Sequence, residues 1–100
     1  MSAEQVPGWL FGEWRLREVE PGVELQEGTG MEFLAEGELV YTIPLEGRVH
    51  RFSLYYSVRG DELHTRQPEA DHHQSVGFGR TESGLLEFDF AGVRAWFERV

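Results

Sequence analysis

The chain has 100 residues and a formal net charge of −9, it contains no cysteine, and 40% of its residues are hydrophobic. This length and apolar content predict a single domain with a packed core rather than a disordered chain. The lack of cysteine excludes disulfides and thiolate chemistry. The acidic balance, without any basic stripe, argues against nucleic acid and anionic membranes as partners.

Residues 1–8 end in Pro7-Gly8 and show neither the basic nor the apolar region of a signal peptide. We therefore expect a flexible leader over 1–8 and one domain over 9–100. No window is apolar enough for a membrane span, so we expect a cytoplasmic protein. All nine basic residues are arginine, a bias typical of GC-rich bacterial coding.

The rest of the chain divides into short segments of alternating apolar and polar residues, each bounded by Gly, Pro or Asp. This pattern predicts β-strands. The segments run over 9–19, 30–34, 38–45, 48–58, 62–66, 75–81, 85–90 and 93–100. Residues 9–18 and 93–100 also tolerate a helix, but the alternation favours strands.

The turn sequences predict how consecutive strands pair. Two-residue loops are expected at 46–47, 60–61 and 91–92, and three-residue loops with a bulge at 35–37 and 82–84. In this register most apolar side chains share one face. The predicted pairs are Leu45 with Arg48, Ile43 with His50, Tyr41 with Phe52, Leu39 with Leu54, Val58 with Leu63, Tyr56 with Thr65, Phe90 with Val93, Phe88 with Ala95, Leu86 with Phe97, Phe33 with Leu39, Phe78 with Phe88 and Val76 with Phe90.

A single long sheet with one apolar face would curl, and closure would remove its edges. We therefore predict an all-β fold: an antiparallel up-and-down meander of about eight strands, closed into a small barrel. The aromatic side chains that point inward could also fill the barrel completely.

Gly12-Glu13-Trp14 on the first strand, followed by this meander, resembles the calycin proteins, including lipocalins and small bacterial lipocalin-like domains. The resemblance implies that Gly12 and Trp14 occupy the G-x-W motif at the closed end of the barrel. It also implies that an arginine of the last strand, Arg99 or as second choice Arg94, packs over Trp14. An eight-strand meander brings these two strands together at that end. The chain is much shorter than a typical lipocalin.

This topology places the two long connections, 20–29 and 67–74, at the open end, where binding sites commonly lie. By the resemblance, 20–29 corresponds to the lipocalin lid loop. We expect a small apolar or aromatic ligand there. The expected ligand-binding residues are Tyr41, Ile43, His50, Phe52, Tyr56 and Phe90.

Histidines also collect at the predicted rim. His50 with Asp71, His72 and His73 could bind a divalent metal, although adjacent histidines rarely chelate one ion. A polar solvated loop explains the same residues, and we expect no cofactor.

Two further functions stay open. A filled barrel could act as a structural or interaction domain, for example a homodimer through Val40, Tyr55 and Trp96 on the outer face. An enzyme could use the rim histidines or the inward tyrosines, but no nucleophile and base can be paired from the sequence.

Overall fold

The computed structural model describes residues 6–67 and 73–100 and contains a closed antiparallel barrel in which every strand pairs with its neighbours in chain order. The first strand pairs with both the second and the eighth, which closes the wall. The strands are β1 (Gly12–Val19), β2 (Gly30–Phe33), β3 (Glu38–Leu45), β4 (Arg48–Arg59), β5 (Glu62–Arg66), β6 (His73–Arg80), β7 (Leu86–Phe90) and β8 (Val93–Arg99). The predicted fold class is confirmed.

The turns have the backbone conformations that their sequences require. Glu46 and Gly47 both have positive φ, as do Ala91 and Gly92, which is the pattern of type I′ hairpin turns. Gly60 has a φ of 60° at the first position of its turn. The observed register contains all the predicted pairs that lie within the recorded ladders, from Leu45 opposite Arg48 to Leu86 opposite Phe97.

The start of the chain differs from the predicted strand over 9–19. Gly8–Leu10 form a 3₁₀-helix, and β1 begins only at Gly12. The turn is closed by the Leu10 amide, which donates to the Pro7 carbonyl at 3.0 Å. Val6, which lies within the predicted leader over 1–8, packs against the core.

A β-bulge in β1 is the second difference. Leu16 lies opposite Phe97, but Glu18 then lies opposite Trp96 and Val19 opposite Ala95. The extra residue keeps the Glu18 side chain on the solvent face and lets Val19 pack against the core. Strict alternation would have directed Glu18 into the barrel.

The buried core occupies the end of the barrel where β1 begins and β8 ends. It includes Trp14, Phe33, Phe88 and Phe97, each at most 2% exposed. The opposite end is less filled, because the β3–β4 hairpin extends past its short neighbours β2 and β5. No helix within the described part of the chain has the length and apolar character needed to cross a membrane.

Candidate functional site

The closed end is built around Trp14 and Arg99. These residues are opposite each other in the β1–β8 ladder, and the Arg99 guanidinium lies 4.1 Å above the centre of the Trp14 ring system. Its Nη1 and Nη2 donate hydrogen bonds to the Phe11 and Trp9 carbonyls. Arg99 therefore joins the last strand to the segment that precedes the first.

Gly12 makes room for this contact. Its φ is 109°, and a Cβ at this position would lie 2.6 Å from Arg99 Nη1. Glycine alone adopts this backbone without strain and leaves the guanidinium space to reach the Phe11 carbonyl. The Gly12-Glu13-Trp14 triplet thus marks the closed end of the barrel.

The 3₁₀-helix seals that end. Leu10 is fully buried, and its carbonyl accepts a hydrogen bond from Trp14 Nε1 at 2.9 Å. The Trp9 ring contacts Trp14 edge to face, with 6.3 Å between the ring centroids. The Arg80 guanidinium lies over the Trp9 ring, 5.2 Å from its centroid. No opening for a ligand is expected here, because aromatic and aliphatic side chains fill the space.

Tyr56, which we predicted to bind ligand, belongs to this packed end. It is 7% exposed, and its hydroxyl donates to the Leu34 carbonyl at 2.8 Å beside the 35–37 corner. Its ring packs edge to face against Phe33 at 5.1 Å. Its hydroxyl is thus bonded at the closed end, and Tyr56 does not line the cavity at the open end.

The open end contains a cavity of about 680 Å³ against the inner face of the β3–β4 hairpin. Its lining combines four inward apolar or aromatic side chains, one glutamine just after β5, one glutamine of β6, and two polar residues of β4 at outward positions. They are Tyr41, Ile43, Phe52, Leu54, Gln67, Gln74, Arg51 and Ser53. The volume lies in the range of sites for small organic molecules.

Tyr41 is the main polar group on the inner wall of this cavity. Burial raises the pKa of its hydroxyl above the usual 10.0, because a phenolate is poorly solvated there. At neutral pH Tyr41 is therefore a hydrogen-bond donor and acceptor rather than a base. Within the described residues its hydroxyl has no recorded hydrogen-bond partner, which leaves it available to a ligand.

Phe52 and Phe90 sit at different depths. Phe52 is 49% exposed although its position faces inward opposite Tyr41, because β4 has no β5 partner before Tyr55 in the recorded ladder. Phe90 is half-buried and packs on Phe88 at 5.9 Å, outside the lining of the cavity. His50 is exposed beyond the cavity, opposite Ile43.

The 20–29 connection is held to the barrel rather than projecting from it. The Glu20 amide donates to the Arg94 carbonyl at 2.9 Å, and the Arg94 amide donates to Glu20 Oε1 at 2.8 Å. Farther along, Leu25 packs against the core and Thr29 is buried, its hydroxyl donating to the Gln26 carbonyl. The connection thus covers one side of the interior.

The predicted metal residues do not form one cluster in the described structure. His50 faces inward on β4, whereas His73 begins β6 opposite Arg66 on the outer face. Asp71 and His72 lie outside the described residues, so that prediction stays untested for them. Across 6–67 and 73–100, no group of three or more His, Cys, Asp or Glu side chains is arranged to hold a metal ion.

Sequence reasoning missed some residues that the structure brings together. Leu54, Gln67 and Gln74 line the cavity, and alternation already gave Leu54 the correct face. His64 contacts His73 on the outer wall, with 3.3 Å between His64 Nδ1 and His73 Nε2. The pairing of β5 with β6 places His64 and His73 on the same face, so a predicted register for these two strands could have found the contact.

Comparison with known proteins supports the fold. No protein-family model matches the chain, and no curated protein matches it significantly. A lipocalin-like protein from Bacteroides uniformis has a similar structure, with a TM-score of 0.77, 20% identity and coverage of 93% of this chain and 100% of that one. An uncharacterized protein from Bacteroides eggerthii follows, with a TM-score of 0.70, 14% identity and coverage of 91% and 99%. The chain has a small lipocalin-like barrel fold.

Proposed function

We propose that this barrel binds a small apolar or aromatic molecule at its open end. The observation that carries the proposal is the uneven filling of the interior. Side chains at the closed end are almost fully buried, whereas the inward positions of the β3–β4 hairpin around a cavity of about 680 Å³ are half-buried or, at Phe52, exposed. A ligand that covers exposed inward apolar surface is stabilised by about 25 cal/mol per Å² of apolar area buried.

The polar groups suggest how such a ligand would be oriented. The Tyr41 hydroxyl lies among apolar side chains, and Gln67 and Gln74 offer amide donors and acceptors on the other side of the cavity. An aromatic or aliphatic body would pack on Ile43 and Phe52. A single polar substituent would then reach Tyr41 or a glutamine. Few polar groups in a mostly apolar cleft are typical of small-molecule sites.

The same features favour binding over catalysis. A tyrosine whose pKa is raised by burial is a poor general base at neutral pH. Among the described residues that line the cavity, no nucleophile makes a hydrogen bond to a base. A bacterial, cytoplasmic setting, suggested by the sequence, forms part of this proposal.

A fluorescence titration with an environment-sensitive apolar dye tests the proposal. We expect saturable enhancement by the wild-type protein and a loss of affinity of about ten-fold or more in Phe52→Gln or Ile43→Gln, since each removes roughly 1.5–3 kcal/mol of apolar contact. Displacement of the dye by aromatic and aliphatic compounds would then define the ligand class.

Val49→Gln is the matched control. Val49 is on the same hairpin and is 64% exposed, but it pairs with Pro44 on the outer face. Its replacement should leave dye binding unchanged. Equal losses in Val49→Gln and Phe52→Gln would indicate nonspecific surface binding. A wild-type protein that gives no saturable enhancement would refute the proposal, provided that circular dichroism shows folded protein.

A further inference from the structure

A second group of side chains lies on the outer wall, away from the mouth of the barrel. His64 and His73 occupy neighbouring strands, and their rings are nearly parallel at 18° with 5.3 Å between centroids. Glu62 is two residues before His64 on the same face, and its Oε1 lies 3.2 Å from His64 Nε2. The three residues form a chain of contacts from carboxylate to imidazole to imidazole.

The carboxylate determines the proton arrangement of His64. An ionised carboxylate only accepts hydrogen bonds, so His64 Nε2 carries the proton that is donated to Glu62. His64 Nδ1 is then left with a lone pair in the neutral ring. That lone pair faces His73 Nε2 at 3.3 Å.

The spacing of these two nitrogens matches a chelating pair. In a tetrahedral zinc site with Zn–N bonds of about 2.0–2.1 Å, two ligand nitrogens are about 3.3–3.4 Å apart. Here the distance between His64 Nδ1 and His73 Nε2 is 3.3 Å. If the two rings turn so that both lone pairs point at one ion, this nitrogen–nitrogen distance can be kept.

We propose that His64 and His73 bind a divalent ion of the Zn²⁺, Ni²⁺ or Cu²⁺ class, with Glu62 as the carboxylate that orients His64. Imidazole nitrogen suits these metals, and a carboxylate on the second ring nitrogen is the usual partner of a metal-bound histidine. On binding, the proton of His73 Nε2 moves to Nδ1, so that the ring stays neutral. The ion thereby replaces the hydrogen bond between the rings.

The surroundings leave room to complete the coordination. The two histidines border an open cleft of about 330 Å³ whose lining also includes Tyr55, Ser57 and Arg66. Water or a small anion can occupy the coordination positions that the two histidines leave open. Arg66 is opposite His73, but its guanidinium is directed over the Tyr55 ring at 5.6 Å. The overall charge of −9 favours cation binding.

This site is independent of the ligand proposal and shares His73, but not His50, Asp71 or His72, with the metal cluster predicted at the rim. It uses the outer faces of β5 and β6, and its two nitrogen ligands are fixed by the cross-strand register. His50, which belonged to the predicted rim cluster, has no part in it. Substitutions can therefore separate the two sites.

Calorimetric titration of tag-free protein with ZnCl₂, together with the visible spectrum of the Co²⁺ complex, tests the proposal. We expect one saturable site in the wild type and at least a ten-fold loss of affinity in His64→Ala and in His73→Ala. Glu62→Gln should weaken binding by about ten-fold, as is usual when an orienting carboxylate is removed. His50→Ala is the matched control and should bind like the wild type.

Other outcomes would overturn the assignment. Absence of saturable binding to the folded wild type, or wild-type affinity in both His64→Ala and His73→Ala, would refute it. Loss of binding in His50→Ala with retention in His64→Ala would place the ion at the rim instead. Nitrogen-15 spectra of the imidazoles provide a second measurement: Zn²⁺ should shift His64 Nδ1 and His73 Nε2 and leave the proton on His64 Nε2.

Discussion

Replacing Arg99 by alanine should destabilise the barrel far more than its exposed position suggests. The side chain makes three contacts at the seam where β8 meets β1: two hydrogen bonds to the Trp9 and Phe11 carbonyls and the stacking contact on Trp14. Alanine removes all three together. It also loosens the 3₁₀-helix from the end of the barrel that it closes.

The expected loss follows from these contacts. A hydrogen bond from a charged donor contributes about 1.5–3 kcal/mol, and an exposed cation–π contact about 0.5–1 kcal/mol. Arg99 is exposed and water can replace it at the carbonyls, so the three contacts together contribute less than the sum of the lower ends, about 3.5 kcal/mol. We expect Arg99→Ala to lower the free energy of unfolding by about 2–3 kcal/mol. For a domain of this size, that corresponds to a fall in Tm of about 10–20 °C.

Urea unfolding of Arg99→Ala, Arg99→Lys and Arg94→Ala measures the effect. Lysine keeps the charge above Trp14 but lacks the forked donors, so it should lose about half as much stability as alanine. Arg94 is on the same strand, and within 6–67 and 73–100 its side chain makes an exposed ion pair with Glu87 at 3.8 Å, so Arg94→Ala should cost about 0–1 kcal/mol. Equal losses for Arg99→Ala and Arg94→Ala would refute the reasoning.

Two further predictions concern titration and turn geometry. Because burial raises the pKa of Tyr41 above 10.0, the folded chain holds this proton more tightly than the unfolded chain; the free energy of unfolding should therefore fall as the pH rises above about 10. Tyr41→Phe should lessen that fall in urea titrations, and an unchanged pH dependence would contradict the assignment. Ala91 has a φ of 55° in its hairpin turn, so Ala91→Asn should raise stability by about 0.5–1 kcal/mol. A lower Tm would show that the turn has another conformation.

The sequence predicted the wall of the barrel well because its turns are local. Positive φ at Gly47 and Gly92 is specified by adjacent residues, and each tight turn then sets the register of a whole hairpin. The 3₁₀-helix before β1 was missed because it depends on packing at the closed end, and the bulge in β1 was missed because it depends on the packing of Val19 against the core. Leu10 is buried only when the strands that it packs against have formed the barrel.

The candidate sites were harder to predict because they depend on where a neighbouring strand ends and leaves inward side chains uncovered. Phe52 faces inward by alternation, yet it is exposed because β4 extends past β5. Tyr56 has the same inward character but reaches a backbone carbonyl at the closed end. Two aromatic residues on one strand thus differ in how accessible they are to a ligand. The difference arises because β4 is longer than β5.

The G-x-W triplet shows why a short motif can identify a fold without identifying an activity. Gly12 is required because a Cβ would lie 2.6 Å from Arg99 Nη1, and Trp14 is required as the surface on which that guanidinium rests. Gly12 and Trp14 therefore both serve to close the barrel at one end. A barrel closed by such contacts can leave its other end free to vary. The proposed ligand site at the open end, around Tyr41 and Phe52, takes no part in these contacts, so substitutions there should leave the closure by Gly12, Trp14 and Arg99 intact.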